Sequence, residues 1–292
     1  MPINVLLQTT LLSTDKNDWT IERFSLLKNY LSSLLDENER PLCQVAARDR
    51  EPDADGNDPI LSQLDRSLYD ELWLFALDVG GGLSEKDSQG IMRFHQRGGG
   101  VLSTRDHQDM GISMCCLDDI GCFHYFNTKQ IDPDDSRCCR DDIATTYISW
   151  PNYHSGNNGD YQIITAIEPI HELLKKPDSP SGAIQFFPAH PHEGGVGVAE
   201  NKQNARVIAT GNSKVSDRTF NLIVVKDYSN DSNAGRVVGQ STFHHFVDYN
   251  WDISFGCPSF VDEPPGNGMQ ENPQAINDIH AYVKNLAIWL AR

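Results

Sequence analysis

Gly98-Gly99-Gly100-Val101-Leu102-Ser103-Thr104-Arg105-Asp106-His107-Gln108 reads as a tight turn, a short buried strand and a polar run at the strand's carboxyl end. In an open α/β sheet that end is where ligands bind. Upstream, strand-like and helix-like patterns alternate. The apolar run 5–9 suits a buried strand, and Ile21, Phe24, Leu27, Tyr30, Leu31, Leu34 and Leu35 then recur at helical spacing, with Asp18 placed as an N-cap. Residues 43–47 and 72–77 read as further strands. Ser84-Glu85-Lys86-Asp87 has the form of a capping box ahead of a helix carrying Ile91 and Phe94, which the three glycines end. Parallel neighbours need crossover connections, so this alternation predicts a doubly wound, mostly parallel sheet.

Downstream the pattern lapses. Residues 110–160 mix Asp, Cys, Asn, Gly and aromatic residues without a period, and read as a long excursion of the kind that forms lids or binding loops. Strand patterns return at 183–187, 206–209, 222–226 and 236–242, with Ser229-Asn230-Asp231 as a polar turn between the last two. Their close spacing predicts antiparallel additions in the C-terminal half. Asn272 and Pro273 then open a terminal amphipathic helix marked by Ile276, Ile279, Val283, Leu286 and Leu290. No linker or internal repeat interrupts the chain, so residues 1–292 are expected to form one domain.

The net charge is −17, from 41 acidic and 24 basic residues. Such a surface repels phosphate backbones and anionic headgroups, which argues against nucleic acid and membranes as partners; the expected partner is a small-molecule substrate or ligand. The N-terminus has no basic region and too short an apolar run for a secretory signal, so a cytoplasmic chain is expected. Oligomeric state is not legible. Seven cysteines include Cys115, Cys116, Cys122, Cys138 and Cys139 in one segment. Adjacent cysteines lack the spacing that chelates zinc from a turn, so reduced thiols are expected, with a disulfide or metal within 115–139 as the alternative.

Two further segments bring imidazoles and carboxylates to strand ends: Gln185-Phe186-Phe187-Pro188-Ala189-His190-Pro191-His192-Glu193-Gly194, and the run from Gly235 to Asp252 that contains His244, His245 and Asp248. Histidine beside a carboxylate is a general acid–base pair, and the same residue types hold a divalent ion with a position left open for water. Asp106, His107, His190, Glu193 and His244 are the catalytic candidates, with His190 and Glu193 as a pair. Thr104, Arg105, Gln108, His192, His245 and Asp248 are candidate substrate contacts. No cofactor is expected beyond a divalent metal, for which His190, His192 and His244 are the candidate ligands. Structural alternatives stand beside these roles. His107 can brace the turn after its strand, Glu193 can be an exposed turn carboxylate, and His244 and His245 cannot share one face of a strand. Phe246, Tyr249 and Trp251 read as core and wall before a sugar-stacking platform, and His95 and His280 read as helical residues outside the chemistry. Glu51 to Gly56 imitates the start of a calcium loop, but Ser62 stands where the bidentate glutamate is needed.

The segment Thr104-Arg105-Asp106-His107-Gln108 resembles the Cys-x-Gly-His-Gln elbow of class I glutamine amidotransferase-like proteins, with threonine in place of cysteine. The segment 185–193 resembles their Gln-Phe-His-Pro-Glu segment with residues inserted. Gly235-Arg236-Val237, running on to His244 and His245, most resembles the ThuA-like branch associated with trehalose utilisation. Together the likeness covers about 3–110 and 183–290. It implies a flavodoxin-like three-layer sandwich with the three segments around one site. Without the cysteine, glutamine hydrolysis through a thioester is not expected. The expected function is a hydrolase or related acid–base enzyme acting on a polar substrate, sugar-derived ones among them. A non-catalytic sensing domain and a scaffold subunit of a larger assembly are the alternatives.

Overall fold

The computed structural model describes residues 1–138, 140–141, 145, 147–198, 204–228 and 233–292. Cys139 and the expected turn at Ser229-Asn230-Asp231 lie outside the described residues. The first four strands are β1 (Ile3–Leu12), β2 (Cys43–Arg50), β3 (Glu71–Phe75) and β4 (Gly100–Thr104). Short strands follow: β5 (His124–Tyr125), β6 (Tyr161–Ile163), β7 (Thr165–Ala166), β8 (Phe186–Pro188) and β9 (Gly195–Val196). The last three are β10 (Ala205–Asn212), β11 (Thr219–Lys226) and β12 (Val237–Gln240). Eight of them build one sheet in the order β2-β1-β3-β4-β12-β11-β10-β7. Pairing is parallel from β2 to β12 and antiparallel from β12 to β7. The mostly parallel sheet with antiparallel additions is the architecture expected from the sequence.

Both faces of the parallel strands are covered, which is why those strands read as near-continuous apolar runs. Alternation sends Val5, Leu7, Trp73, Phe75 and Leu102 into one core with helices α1 (Ser25–Ser33) and α3 (Pro273–Leu290). It sends Leu6, Leu72, Leu74 and Val101 into the other with Ile91 and Phe94 of helix α2 (Glu85–Gln96). The capping box at Ser84 and Asp87 forms as expected, and Asn272 caps α3 through the Gln274 amide. Phe246, Tyr249 and Trp251 are buried in the first core. Among the described residues no helix is long and apolar enough to cross a membrane.

Three expectations need correction. Asp18 does not cap α1: its carboxylate accepts from the Trp19 amide, residues Ile21–Phe24 form a 3-10 turn, and the helix starts only at Ser25. The cap is Asp248, expected as a substrate contact, whose carboxylate accepts from Ser25 N at 3.1 Å and Leu26 N at 2.7 Å. The strand expected at 183–187 does not join the main sheet. Asp278 of α3 takes the Gln185 and Phe186 amides at 2.7 and 3.0 Å, so the pairing strand is β8, in a two-stranded ribbon with β6. The irregular segment carries only short elements, and one of them, β5, pairs with β9 just beyond Glu193. Six described cysteines (Cys43, Cys115, Cys116, Cys122, Cys138, Cys257) are unbridged thiols. In the calcium-like loop the Asp53 carboxylate is taken by the Asp55 and Asn57 amides, making a closed turn.

Candidate active site

Parallel register sets the carboxyl ends of β4 and β12 level, with Thr104 opposite Gln240. The chain leaving β4 carries Asp106 and the chain leaving β12 carries His244; the loop after β8 brings His190. Phe243 N donates to Arg105 O at 2.9 Å and Gly194 N to Ser241 O at 3.2 Å, tying the three segments together. The approach at Gly194 is so close that a Cβ there would lie 2.4 Å from Asp106 O and 2.9 Å from Ser241 O. No residue with a side chain fits that point.

The result is a buried group of three. His190 Nε2 lies 3.1 Å from Asp106 Oδ1 and His244 Nε2 lies 3.8 Å from Asp106 Oδ2. The two imidazoles stack with centroids 3.6 Å apart, and Trp19 packs edge-on against His244. Thr242 Oγ1 donates to Asp106 Oδ1 at 3.1 Å. A cavity of about 90 Å³ opens onto these groups, with room for roughly three waters. His107, His192 and Glu263 also line it, and Tyr147, Phe260 and Val261 stand at its walls. His107 Nε2 is 3.7 Å from Asp106 Oδ2, and His192 Nε2 is 3.6 Å from Glu263 Oε1. A larger open groove of about 900 Å³ lies between α1 and α3, but the Asp106 group does not reach it. The small cavity is the candidate site because it gathers buried acid–base groups. His95 is buried on α2 and His280 stacks on Tyr30 in the larger groove, both away from it.

The tautomers of both imidazoles follow from one carbonyl. Ala189 O can only accept, so the group 2.7 Å from it is Asn250 Nδ2 and the amide of Asn250 has one orientation. Its Oδ1 then faces His244 Nδ1 at 3.3 Å, and its Nδ2 also donates to Asn158 Oδ1 at 3.2 Å. Asn158 Oδ1 is therefore an acceptor, and His190 Nδ1 at 2.8 Å donates to it. Each ring carries its proton on Nδ1. Both Nε2 lone pairs point into the group around Asp106, and His190 Nε2 makes no hydrogen bond despite its nearness to the carboxylate. Burial holds both imidazoles well below the usual histidine range, which keeps them in this neutral form.

Several sequence-derived candidates lie elsewhere. The expected His190–Glu193 pair does not form, because the loop path through Pro191 turns Glu193 away from the cavity lining. Glu193 is fully buried and accepts from Ser155 Oγ at 2.7 Å, from Gln162 Nε2, and from Ser241 Oγ at 2.7 Å. Its imidazole neighbour is His245, at 3.4 Å. His244 and His245 diverge as neighbours must, although they sit in a 3-10 turn, Phe243–His245, beyond the end of the strand. Arg105 is buried under the site and does not line it. Its guanidinium donates to Tyr125 O and Gln108 O and lies 4.3 Å over the Phe126 ring, and burial pushes it down to about 9. The Thr104 hydroxyl is buried without a hydrogen-bond partner, and Gln108 Nε2 donates to Ser149 Oγ at 3.0 Å, bracing the irregular segment. Trp19, Asn158, Asn250 and Glu263 were missed. Only Trp19 and Glu263 are of types that draw notice in a sequence, and neither stands in a motif.

A comparison with protein-family models finds no match, and neither does one with curated proteins. Among solved structures, the chain is similar to a putative ThuA-like protein from Parabacteroides merdae ATCC 43184, with a TM-score of 0.53 and 16% identity over 100% of this chain and 90% of that one. A cytoplasmic protein of Salmonella typhimurium LT2 gives 0.45 at 12% identity, over 82% and 88% of the two chains. The glutaminase domain of Trypanosoma brucei CTPS with bound acivicin gives 0.45 at 13% identity, over 97% and 94%. At 16% identity the likeness to the first of these is one of fold, and the eight-stranded, mostly parallel sheet with helices is itself a flavodoxin-like α/β architecture.

Proposed function

We propose that this chain is a glutamine amidotransferase-like, ThuA-like protein that works without a cysteine nucleophile, as a hydrolase or related acid–base enzyme on a small polar substrate, carbohydrate-derived ones included. The observation that carries this reading is the convergence of Asp106, His190 and His244 at the carboxyl ends of adjacent parallel strands. An imidazole with a free Nε2 lone pair is a base for a water in the cavity, and the Asp106 carboxylate stabilises the imidazolium that results. At about 90 Å³ the cavity admits only the reacting end of a substrate, leaving the rest at the Tyr147 and Phe260 mouth. The absence of thiol chemistry is supported at the elbow position, where Thr104 stands, and by the cavity lining, to which no described cysteine contributes.

The test is turnover of a panel comprising 4-nitrophenyl acetate, a sugar δ-lactone and 4-nitrophenyl glycosides by the whole chain and by Asp106→Asn. The expected result is hydrolysis of at least one member, slowed about 100-fold or more by the substitution. Hydrolysis unaffected by Asp106→Asn removes the assignment. Saturable binding of a panel member without turnover replaces it with a ligand-binding role.

A further inference from the structure

We propose that Asp106, His190 and His244 bind one first-row divalent transition-metal ion, of which zinc is the representative, through one carboxylate oxygen and the two Nε2 atoms. The proposal takes its site, though not its turnover, from the reading above, and it replaces the base role given there to a free Nε2, because an ion held by both Nε2 atoms takes those lone pairs. The donor atoms of the three buried side chains all lie within 4.8 Å of one another. Two ligands about 2.1 Å from a tetrahedral ion stand about 3.4 Å apart, and the 3.1 and 3.8 Å separations from Asp106 bracket that spacing.

The hydrogen-bond pattern points to a cation independently of the spacing. With both Nδ1 atoms committed to Asn158 and Asn250, the two Nε2 atoms and the Asp106 carboxylate are the atoms that face one another. The Thr242 hydroxyl donates to Asp106 Oδ1, while His190 Nε2, on a side chain only 3% exposed, has no hydrogen bond at all. Two imidazole nitrogens and a carboxylate, buried at this spacing, are the donor set that a cation among them would stabilise. The two asparagines are the outer partners that fix tautomer and ring direction in metal-bound histidines. Nitrogen donors favour zinc and its neighbours over magnesium or calcium, and three protein ligands leave a position for water facing the cavity. Of the metal ligands expected from the sequence, His192 is replaced by Asp106, since the His192 ring meets His190 edge-on and its Nε2 faces Glu263.

Chelator-treated full-length protein titrated with zinc chloride in a calorimeter should bind one ion per chain. Asp106→Asn, His190→Ala and His244→Ala should lose that binding, and Asn250→Ala should weaken it about 10- to 100-fold. Cobalt(II) added to the unmodified protein supplies a reading that does not depend on any variant folding. Visible bands of a four- or five-coordinate nitrogen–oxygen site, bleached by equimolar zinc, support the assignment. No binding, binding that survives all three substitutions, or a sulfur-to-cobalt charge-transfer band from the cysteine segment overturns it. Metal binding without hydrolysis of the panel refutes the enzymatic reading alone, and hydrolysis by a protein that binds no metal refutes this inference alone.

Discussion

The carbonyl of Ala189 sets the tautomers of two imidazole rings through a pair of asparagines. It orients Asn250, which orients Asn158 and His244 and through Asn158 reaches His190. Asn250→Ala leaves Ala189 O and His244 Nδ1 buried and unpaired, and is expected to lower unfolding free energy by about 2 to 4 kcal/mol. Urea denaturation checks this; a loss under about 1 kcal/mol would mean that the relay does not hold the rings. At this scale the sequence showed the imidazoles and carboxylates, because those side chains stand out beside strand ends. It could not show the asparagines, since an amide in an irregular stretch reads the same whether it closes a turn or orients a catalytic ring. Nor could it pair Glu193 with His245, because the two stand 52 residues apart and no local pattern encodes that contact.

Elements were more legible than their ends. The alternation of buried strands and amphipathic helices follows from a sheet covered on both faces, and four parallel strands of the first half lie where the apolar runs placed them. The start of α1 was misread because its cap comes from Asp248, 223 residues away, and no local pattern encodes a long-range cap. Asp248→Ala is expected to cost about 1 to 2 kcal/mol, read as a lower urea midpoint with an unchanged slope. A neutral effect would show that α1 starts without this carboxylate. Asp278 works on a larger span: it takes two amides entering β8 and pairs with Lys176 Nζ at 2.7 Å, with both side chains nearly inaccessible. Asp278→Ala strands a buried cation as well as two amides, and a loss of about 3 to 5 kcal/mol is expected. Thermal and urea unfolding measure it; a loss within 1 kcal/mol would mean that water reaches Lys176 in the folded chain.

For the whole molecule, stability against pH reports how much charge the fold refuses to bury. His124 is fully buried with Nε2 2.8 Å from Ser103 Oγ, and burial first, then the Arg105 charge, pulls it from 6.5 down to about 3. Its folded value is depressed, so the unfolded chain takes up the proton first. Its contribution is complete above pH 6.5 and is lost as the pH falls from there towards 3. Glu71, raised well above its ordinary value by burial, acts in the opposite sense, so the measurement is a difference. The advantage of the native chain over His124→Gln should shrink by about 1.4 kcal/mol per pH unit below pH 6. A difference that stays constant between pH 7 and 4.5 would place the proton elsewhere.

The pairing of His124–Tyr125 with Gly195–Val196 fastens the irregular segment to the loop that presents His190. The two stretches therefore meet as one ribbon at that point. Lifting His124–Tyr125 would drag the reactive loop with it, and the exposed rings of Tyr147 and Phe260 at the cavity frame the way in for a visitor, end first, like a key at an escutcheon.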